Sequence, residues 1–226
     1  IWKLPAGTIP AVPGYHAVDM FRALKRGDLK ALWIQTTNPW VTLPNRSRFD
    51  RTPNDGRFVV VSDIYPTPTT AMADLVLPAA AWVEREGVFG NTERRTQQWN
   101  KMVDPPGEAR EDAWAVIQVA KRMGMGHLFP WPDDNWHEPM FEEYREFGLG
   151  HGKDLAAYAQ LKQTRGMLWP VVNGKETPYR YTAGYDPYVK KASGAHFYKA
   201  KDYGEKAAFW LRPYHPAAES PDEAYP

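Results

Sequence analysis

The sequence predicts an α/β fold, an open parallel Rossmann-like sheet flanked by helices and followed by irregular segments that need a further surface to pack on. Three observations predict it. Short apolar runs at 31–35, 58–61 and 75–78 alternate with helical or turn-forming stretches, which is the rhythm of a parallel sheet. Two of these runs end in polar clusters, Thr36-Thr37-Asn38-Pro39 and Ser62-Asp63, and open sheets of this kind bind ligands beyond the carboxyl ends of their strands. From Trp169 onward the chain is rich in Tyr, Gly and Pro without periodicity, and such long structureless stretches are uncommon unless they cross another surface.

Taken in order, Ile1–Gly14 reads as an extended connection, and Ala17, Met20, Phe21 and Leu24 then recur at helical spacing until Gly27 closes the helix. Ala31-Leu32-Trp33-Ile34-Gln35 is a buried strand that runs into the Asn38 loop. Phe58-Val59-Val60-Val61, preceded by Pro53-Asn54-Asp55-Gly56, is a second strand, central and parallel. Thr67 before Pro68 has the form of a helix cap followed by proline at the first helical position, and opens a short helix toward Ala73. Leu75-Val76-Leu77-Pro78 is the third strand. Beyond Arg85, Gly87, Gly90 and Asn91 break the pattern, and a helix follows from Asp112 to Met123. Further helices are expected at 140–147 and 154–163. The pattern therefore divides the chain into 1–84 as an α/β part, 85–111 as a loop, 112–165 as its helical remainder and 166–226 as an irregular crossing segment.

Composition narrows the function. The 226 residues are 43% hydrophobic and 24% charged, which is globular, and 28 basic against 27 acidic residues leave a net charge of +1. No global field steers such a chain to nucleic acid or anionic lipid, so neither is expected as a partner. No apolar run is long enough to span a bilayer. The absence of cysteine excludes a disulfide, a thiolate-held metal or an iron–sulfur cluster ligated from these residues. The histidines, His16, His127, His137, His151, His196 and His215, lack paired helical spacing, and Pro139 breaks the His137-Glu138 segment, so none is expected to hold a metal. The ten tryptophans are expected in core and interdomain packing, because single-strand stacking platforms also need a basic groove.

Four ordered motifs carry a specific resemblance. They are Thr37-Asn38-Pro39, Val61-Ser62-Asp63, the run Thr67-Pro-Thr-Thr-Ala-Met-Ala-Asp-Leu-Val-Leu-Pro-Ala-Ala-Ala-Trp-Val-Glu84, and Glu86-Gly87-Val88-Phe89-Gly90-Asn91-Thr92-Glu93-Arg94-Arg95-Thr96-Gln97. Together they resemble the prokaryotic molybdopterin oxidoreductases, the family of dimethyl sulfoxide reductase. Trp169–Thr177, Tyr179-Arg180-Tyr181, Asp186–Lys190 and Pro216–Glu223 are similar to the periplasmic nitrate reductase branch, so the resemblance covers essentially the whole chain.

The resemblance implies an internal part of a catalytic subunit that reduces nitrate to nitrite in the periplasm at a bis-molybdopterin guanine dinucleotide molybdenum centre. It implies electrons arriving from a c-type haem subunit through a [4Fe-4S] cluster, and places the cluster and metal ligands in the remainder of the subunit. The start at Ile1 without an initiator fits that expectation. No catalytic residue is expected here. The resemblance assigns Asn38, Ser62, Asp63, Arg85 and Asp112 to the nucleotide tails of the cofactor. Carboxylates at strand ends accept from ribose hydroxyls or a guanine edge, and a cation offsets phosphate charge. Relatives often carry lysine where Arg85 stands, which keeps the charge but changes its geometry. Each residue also has a plain structural reading: Asn38-Pro39 as a turn, Ser62-Asp63 and Asp112 as caps. Arg94 and Arg95 divide evenly between a surface pair beside Glu93 and a loop packed near the cofactor. Formate dehydrogenases and assimilatory nitrate reductases share the first four motifs, and a nucleotide-binding or interaction module without redox chemistry is the rival from another class.

Overall fold

A computed structural model describes residues 4–190 and 209–224. His196 lies outside the described residues. The chain divides into two compact units, Ile1–Trp169 and Pro170–Pro226.

The first unit opens with helix α1, Ala17–Arg26, ended by Gly27 at φ 82°, whose amide donates to the Leu24 carbonyl, 3.1 Å. Glycine takes this left-handed cap without a Cβ penalty. Strands β1 (Ala31–Gln35), β2 (Phe58–Asp63) and β3 (Leu75–Pro78) form a parallel sheet with β2 central. The register pairs Gln35 with Ser62, Ser62 with Leu77 and Asp63 with Pro78, so the carboxyl ends of all three strands come level. Alternation sends Ile34, Val59 and Val61 to one face, where they are buried with Phe21 and Leu24 of α1 and with Trp40 and Phe49. The Phe21 ring meets Trp40 edge-on at 5.5 Å. The one-turn helix α2 (Pro39–Thr42) holds Trp40 in this core. Between β2 and β3 the expected helix is only a single tight turn at Thr70–Met72, because Thr67 and Thr70 exchange hydrogen bonds through both hydroxyls and the chain must re-enter the sheet at Leu75.

The stretch after Arg85 is not a plain loop. Strands β4 (Gly87–Gly90) and β5 (Arg95–Trp99) form an antiparallel hairpin, joined by the two-residue β6 (Met167–Leu168). Gly87 is the strand residue over which the Trp99 ring lies: a Cβ there would sit 3.1 Å from the indole. Helices α3 (Asp112–Arg122), α4 (His137–Glu146) and α5 (Tyr158–Lys162) follow. The last is shorter than 154–163 because the Asp154 carboxylate accepts the Gly150 amide at 2.7 Å instead of opening the helix. No helix among the described residues is long and apolar enough to cross a membrane.

Among its described residues the second unit is built from turns. Val172 and Lys175 exchange backbone hydrogen bonds across Asn173 and Gly174, both at positive φ, the geometry that Asn-Gly favours in a tight hairpin. Asp186 is buried and accepts the Tyr181 and Tyr188 amides at 2.8 and 2.9 Å as well as the Arg180 guanidinium.

One buried ion cluster sets the sheet. Arg51, with no side-chain exposure, donates to Asp55 (2.9 Å), Asp74 (3.0 and 3.1 Å) and the carbonyls of Met72 and Arg57. Asp74 also accepts the amides of Asn54 and, at 2.6 Å, Val59. Burial alone would raise the Asp74 carboxyl, but these bonds outweigh it and hold it below the ordinary carboxylate range. Asp55 is lowered by Arg57 first and Arg51 second. A carboxyl depressed in the folded state contributes stability that is complete above its unfolded pKa, near ~4, and is lost as pH falls through the folded value. Arg51→Met, which strands two carboxylates, is expected to cost about 3–5 kcal/mol in urea denaturation at pH 7. It should also flatten the loss of stability that the wild type shows below pH ~4.

Candidate nucleotide-binding site

The level strand ends put the polar clusters side by side. Ser62 and Asp63 are the last two residues of β2, and Asn38 stands three residues beyond β1. Asp112 arrives by a separate route. Ala79 bridges to Arg110 in parallel fashion, with Arg110 N donating to Pro78 O (3.0 Å) and Ala80 N to Arg110 O (2.9 Å). This extension of β3 delivers the start of α3 to the carboxyl edge of the sheet. Asp112 is the first residue of that helix; Glu111 occupies the cap position and makes no side-chain cap bond.

Ser62 and Asp112 line one cavity of about 230 Å³, together with Leu77, Arg110, Trp114 and Arg122. The Arg110 guanidinium lies 6.0 Å over the Trp114 ring. Arg85 reaches Asp112 at 3.6 Å, a loose contact by the standards of a charge-assisted pair. Asn38, Asp63 and Arg85 do not line this cavity. Asp63 is coupled to it by charge, since its carboxylate helps to raise that of Asp112, and Arg85 borders a larger cavity of about 660 Å³ beside the β4–β5 hairpin.

Three polar atoms here are buried and make no hydrogen bond: Gln35 Nε2 at the end of β1, Arg85 Nε and Asp112 Oδ1. Buried donors and acceptors left open cost about 1–3 kcal/mol each, so each is a point where a ligand group would be favourable. The set contains donors, a cation and carboxylates, the groups that phosphate, ribose and a purine edge require. Burial raises the Asp112 carboxyl while Arg85 lowers it; burial prevails, aided by Asp63 and Glu111, and the group lies above its ordinary range. Thr36, at the mouth of β1, is a β-branched residue at φ 61°, a strained conformation of the kind that collects at functional sites.

Several participants escape sequence reasoning. Thr69 is fully buried; its hydroxyl donates to Asn38 Oδ1 and accepts the Trp40 amide at 3.1 Å. Trp33 donates through Nε1 to Ser62 Oγ at 2.9 Å. Thr69 sits inside the quoted signature and Trp33 shares a strand face with Gln35, but neither spacing announces a partner two strands of chain away. Arg94, at φ 67°, closes the hairpin loop and places its guanidinium on Trp169, donating to its carbonyl, 5.7 Å from the ring centroid. Arg95 pairs with Glu93 at 2.9 Å. His137 bonds to Glu111 at 2.8 Å, and the buried Tyr158 hydroxyl donates to Glu86 at 2.7 Å.

Fold and crevice together define an α/β protein with polar side chains gathered at the carboxyl ends of a parallel sheet. The model of the molybdopterin oxidoreductase family matches residues 3–122, more than half of the chain, and the chain belongs to that family. Among solved structures it is similar to the acetylene hydratase of Pelobacter acetylenicus, with 22% identity and a TM-score of 0.50 over 71% of this chain. The chain spans 22% of that protein's length. The likeness is one of fold.

An acid raised in the folded state makes ionisation unfavourable to folding once pH exceeds the unfolded value, near ~4. Asp112→Asn should therefore leave the ligand-free protein as stable as the wild type or more so at pH 7, with the difference vanishing below pH ~4. Thermal melts at both pH values check this, and a loss of more than about 1 kcal/mol at pH 7 would contradict it.

Proposed function

We propose that these residues are part of the catalytic subunit of a periplasmic nitrate reductase and hold the guanine nucleotide tails of its bis-molybdopterin guanine dinucleotide cofactor. The observation that carries the cofactor reading is the open, buried Oδ1 of Asp112 in the cavity it shares with Ser62, a residue at the carboxyl end of the central strand, with Arg85 in loose contact beside it. Asp63 and Asp112 would accept from ribose hydroxyls or the guanine N–H edge, Arg85 would offset phosphate charge, and Asn38 and Ser62 would fix the nucleotide against the strand ends. Arg85 is held only loosely by Asp112 and is free to exchange that partner for a phosphate at little cost.

When bound, the molybdenum centre supplies the oxygen-atom transfer that converts nitrate to nitrite. The chain's own share is binding and orientation, the usual contribution of the protein in cofactor enzymes. The nitrate assignment rests on the similarity of Trp169–Thr177 and Asp186–Lys190 to that branch. With it come a [4Fe-4S] cluster held elsewhere in the subunit and a c-type haem electron donor.

The test is an assay of the complete subunit with a reduced viologen donor. Nitrate reduction that disappears when cells are grown on tungstate in place of molybdate is the expected result. Formate oxidation without nitrate reduction would move the protein to the formate dehydrogenases and overturn the substrate. Asp63→Ala should lower retained guanine nucleotide by about tenfold or more, the effect of one lost charge-assisted hydrogen bond at about 1.5–3 kcal/mol.

A further inference from the structure

Asn and Ser can each present either a donor or an acceptor to a ligand, and which one they present decides what they recognise. Both strand-end residues have a fixed partner. Thr69 is fully buried and accepts the Trp40 amide, so its single hydroxyl proton must find an acceptor nearby, and it takes Asn38 Oδ1. One lone pair of the Asn38 carbonyl is thereby engaged, and the amide is fixed with its oxygen toward Thr69. Its Nδ2, half-buried, makes no hydrogen bond among the described residues and is the group left for a ligand. At the next strand the logic repeats. Trp33 Nε1 can only donate, and it donates to Ser62 Oγ at 2.9 Å, so the Ser62 proton points elsewhere, on a residue that lines the 230 Å³ cavity. On the other side of the crevice Asp112 offers only acceptor atoms when ionised, one of them open.

We infer that Thr69 and Trp33 are positioning residues that preset the hydrogen-bond polarity of the strand ends, presenting Asn38 and Ser62 as donors, with the Asp112 carboxylate as the acceptor in the cavity that Ser62 lines. A ligand that fits must offer acceptors such as phosphate or carbonyl oxygens toward Asn38 and Ser62, and donors such as ribose hydroxyls or a purine N–H edge toward Asp112. A guanine nucleotide offers both in one molecule. Presetting matters because an unrestrained amide or hydroxyl would satisfy either kind of ligand and would lose rotamer freedom on binding. The inference rests on the nucleotide reading given above and goes beyond it by assigning roles to two residues that touch no ligand.

The experiment measures GDP binding by calorimetry to the complete, cofactor-free subunit. Thr69→Val should weaken binding about tenfold, and Thr69→Ser, which keeps the hydroxyl, should restore it. Asn38→Asp removes the donor and should weaken binding by a similar factor, and adding Thr69→Val to it should change nothing further, because Thr69 acts through Asn38. A merely structural role for Thr69 would lower the melting temperature and multiply its effect with that of Asn38→Asp. Undiminished GDP affinity in Thr69→Val, or independent factors in the double variant, would overturn the inference. Should Thr69→Val fail to fold, Trp33→Phe with Ser62→Ala forms the same cycle and carries the same two outcomes. A wild-type subunit that binds no GDP would overturn the nucleotide reading itself, and this inference with it.

Discussion

The contact on which the architecture depends is the Arg51–Asp74 ion pair. Asp74 stands at the entry to β3, and its carboxylate and amide exchange bonds with the amide and carbonyl of Val59 near the start of β2. Arg51 ties the same carboxylate to the loop before β2. The entry ends of the two strands are thus fixed in register by groups that have no access to water, and the exit ends follow: Ser62 beside Leu77, Asp63 beside Pro78. A buried ion pair is seldom the strongest way to stabilise a core, since desolvation offsets much of the attraction. Here it specifies which residues meet at the far edge, and a one-residue slip would turn every side chain of β2 to the opposite face.

The far edge is where the structure stops optimising its own stability. Thr36 sits at a strained φ, Gln35, Arg85 and Asp112 keep buried polar atoms open, and Asp112 is desolvated beside two further carboxylates. Each feature is unfavourable for the ligand-free chain, and in the proposed site a nucleotide would supply the partners that Gln35, Arg85 and Asp112 lack. Residues that cost stability and cluster at strand ends are the physical mark of a binding site.

The parallel sheet was legible because β1, β2 and β3 are short, apolar and punctuated by Gly, Pro and Asn, and the motifs placed Ser62 and Asp63 at the end of β2 and Asn38 just beyond β1, where the structure has them. The second sheet was not. Gly87 and Gly90 lower the strand signal of β4, and Gly87 stands there because Trp99 covers it, a tertiary fact invisible in local composition. The two residues of β6 pair with Arg95 and Thr96 some seventy positions away, beyond any local pattern. Asp154 reads as a helix opener, but its carboxylate serves the Gly150 turn. Thr69 and Trp33 were hidden for the same reason: their partners are Asn38 and Ser62, and only folding brings them within reach.

The central claim is that the carboxyl edge of the β1–β2–β3 sheet holds a guanine nucleotide belonging to a molybdenum cofactor. The most direct measurement is the chemical identity of what the complete subunit releases on acid denaturation, read by mass spectrometry beside its metal content. Guanine nucleotide and molybdenum are expected together, with the loss of both when Asp63 and Asp112 are replaced by alanine. Release of a different nucleotide, or molybdenum retained in full by that double variant, would contradict it.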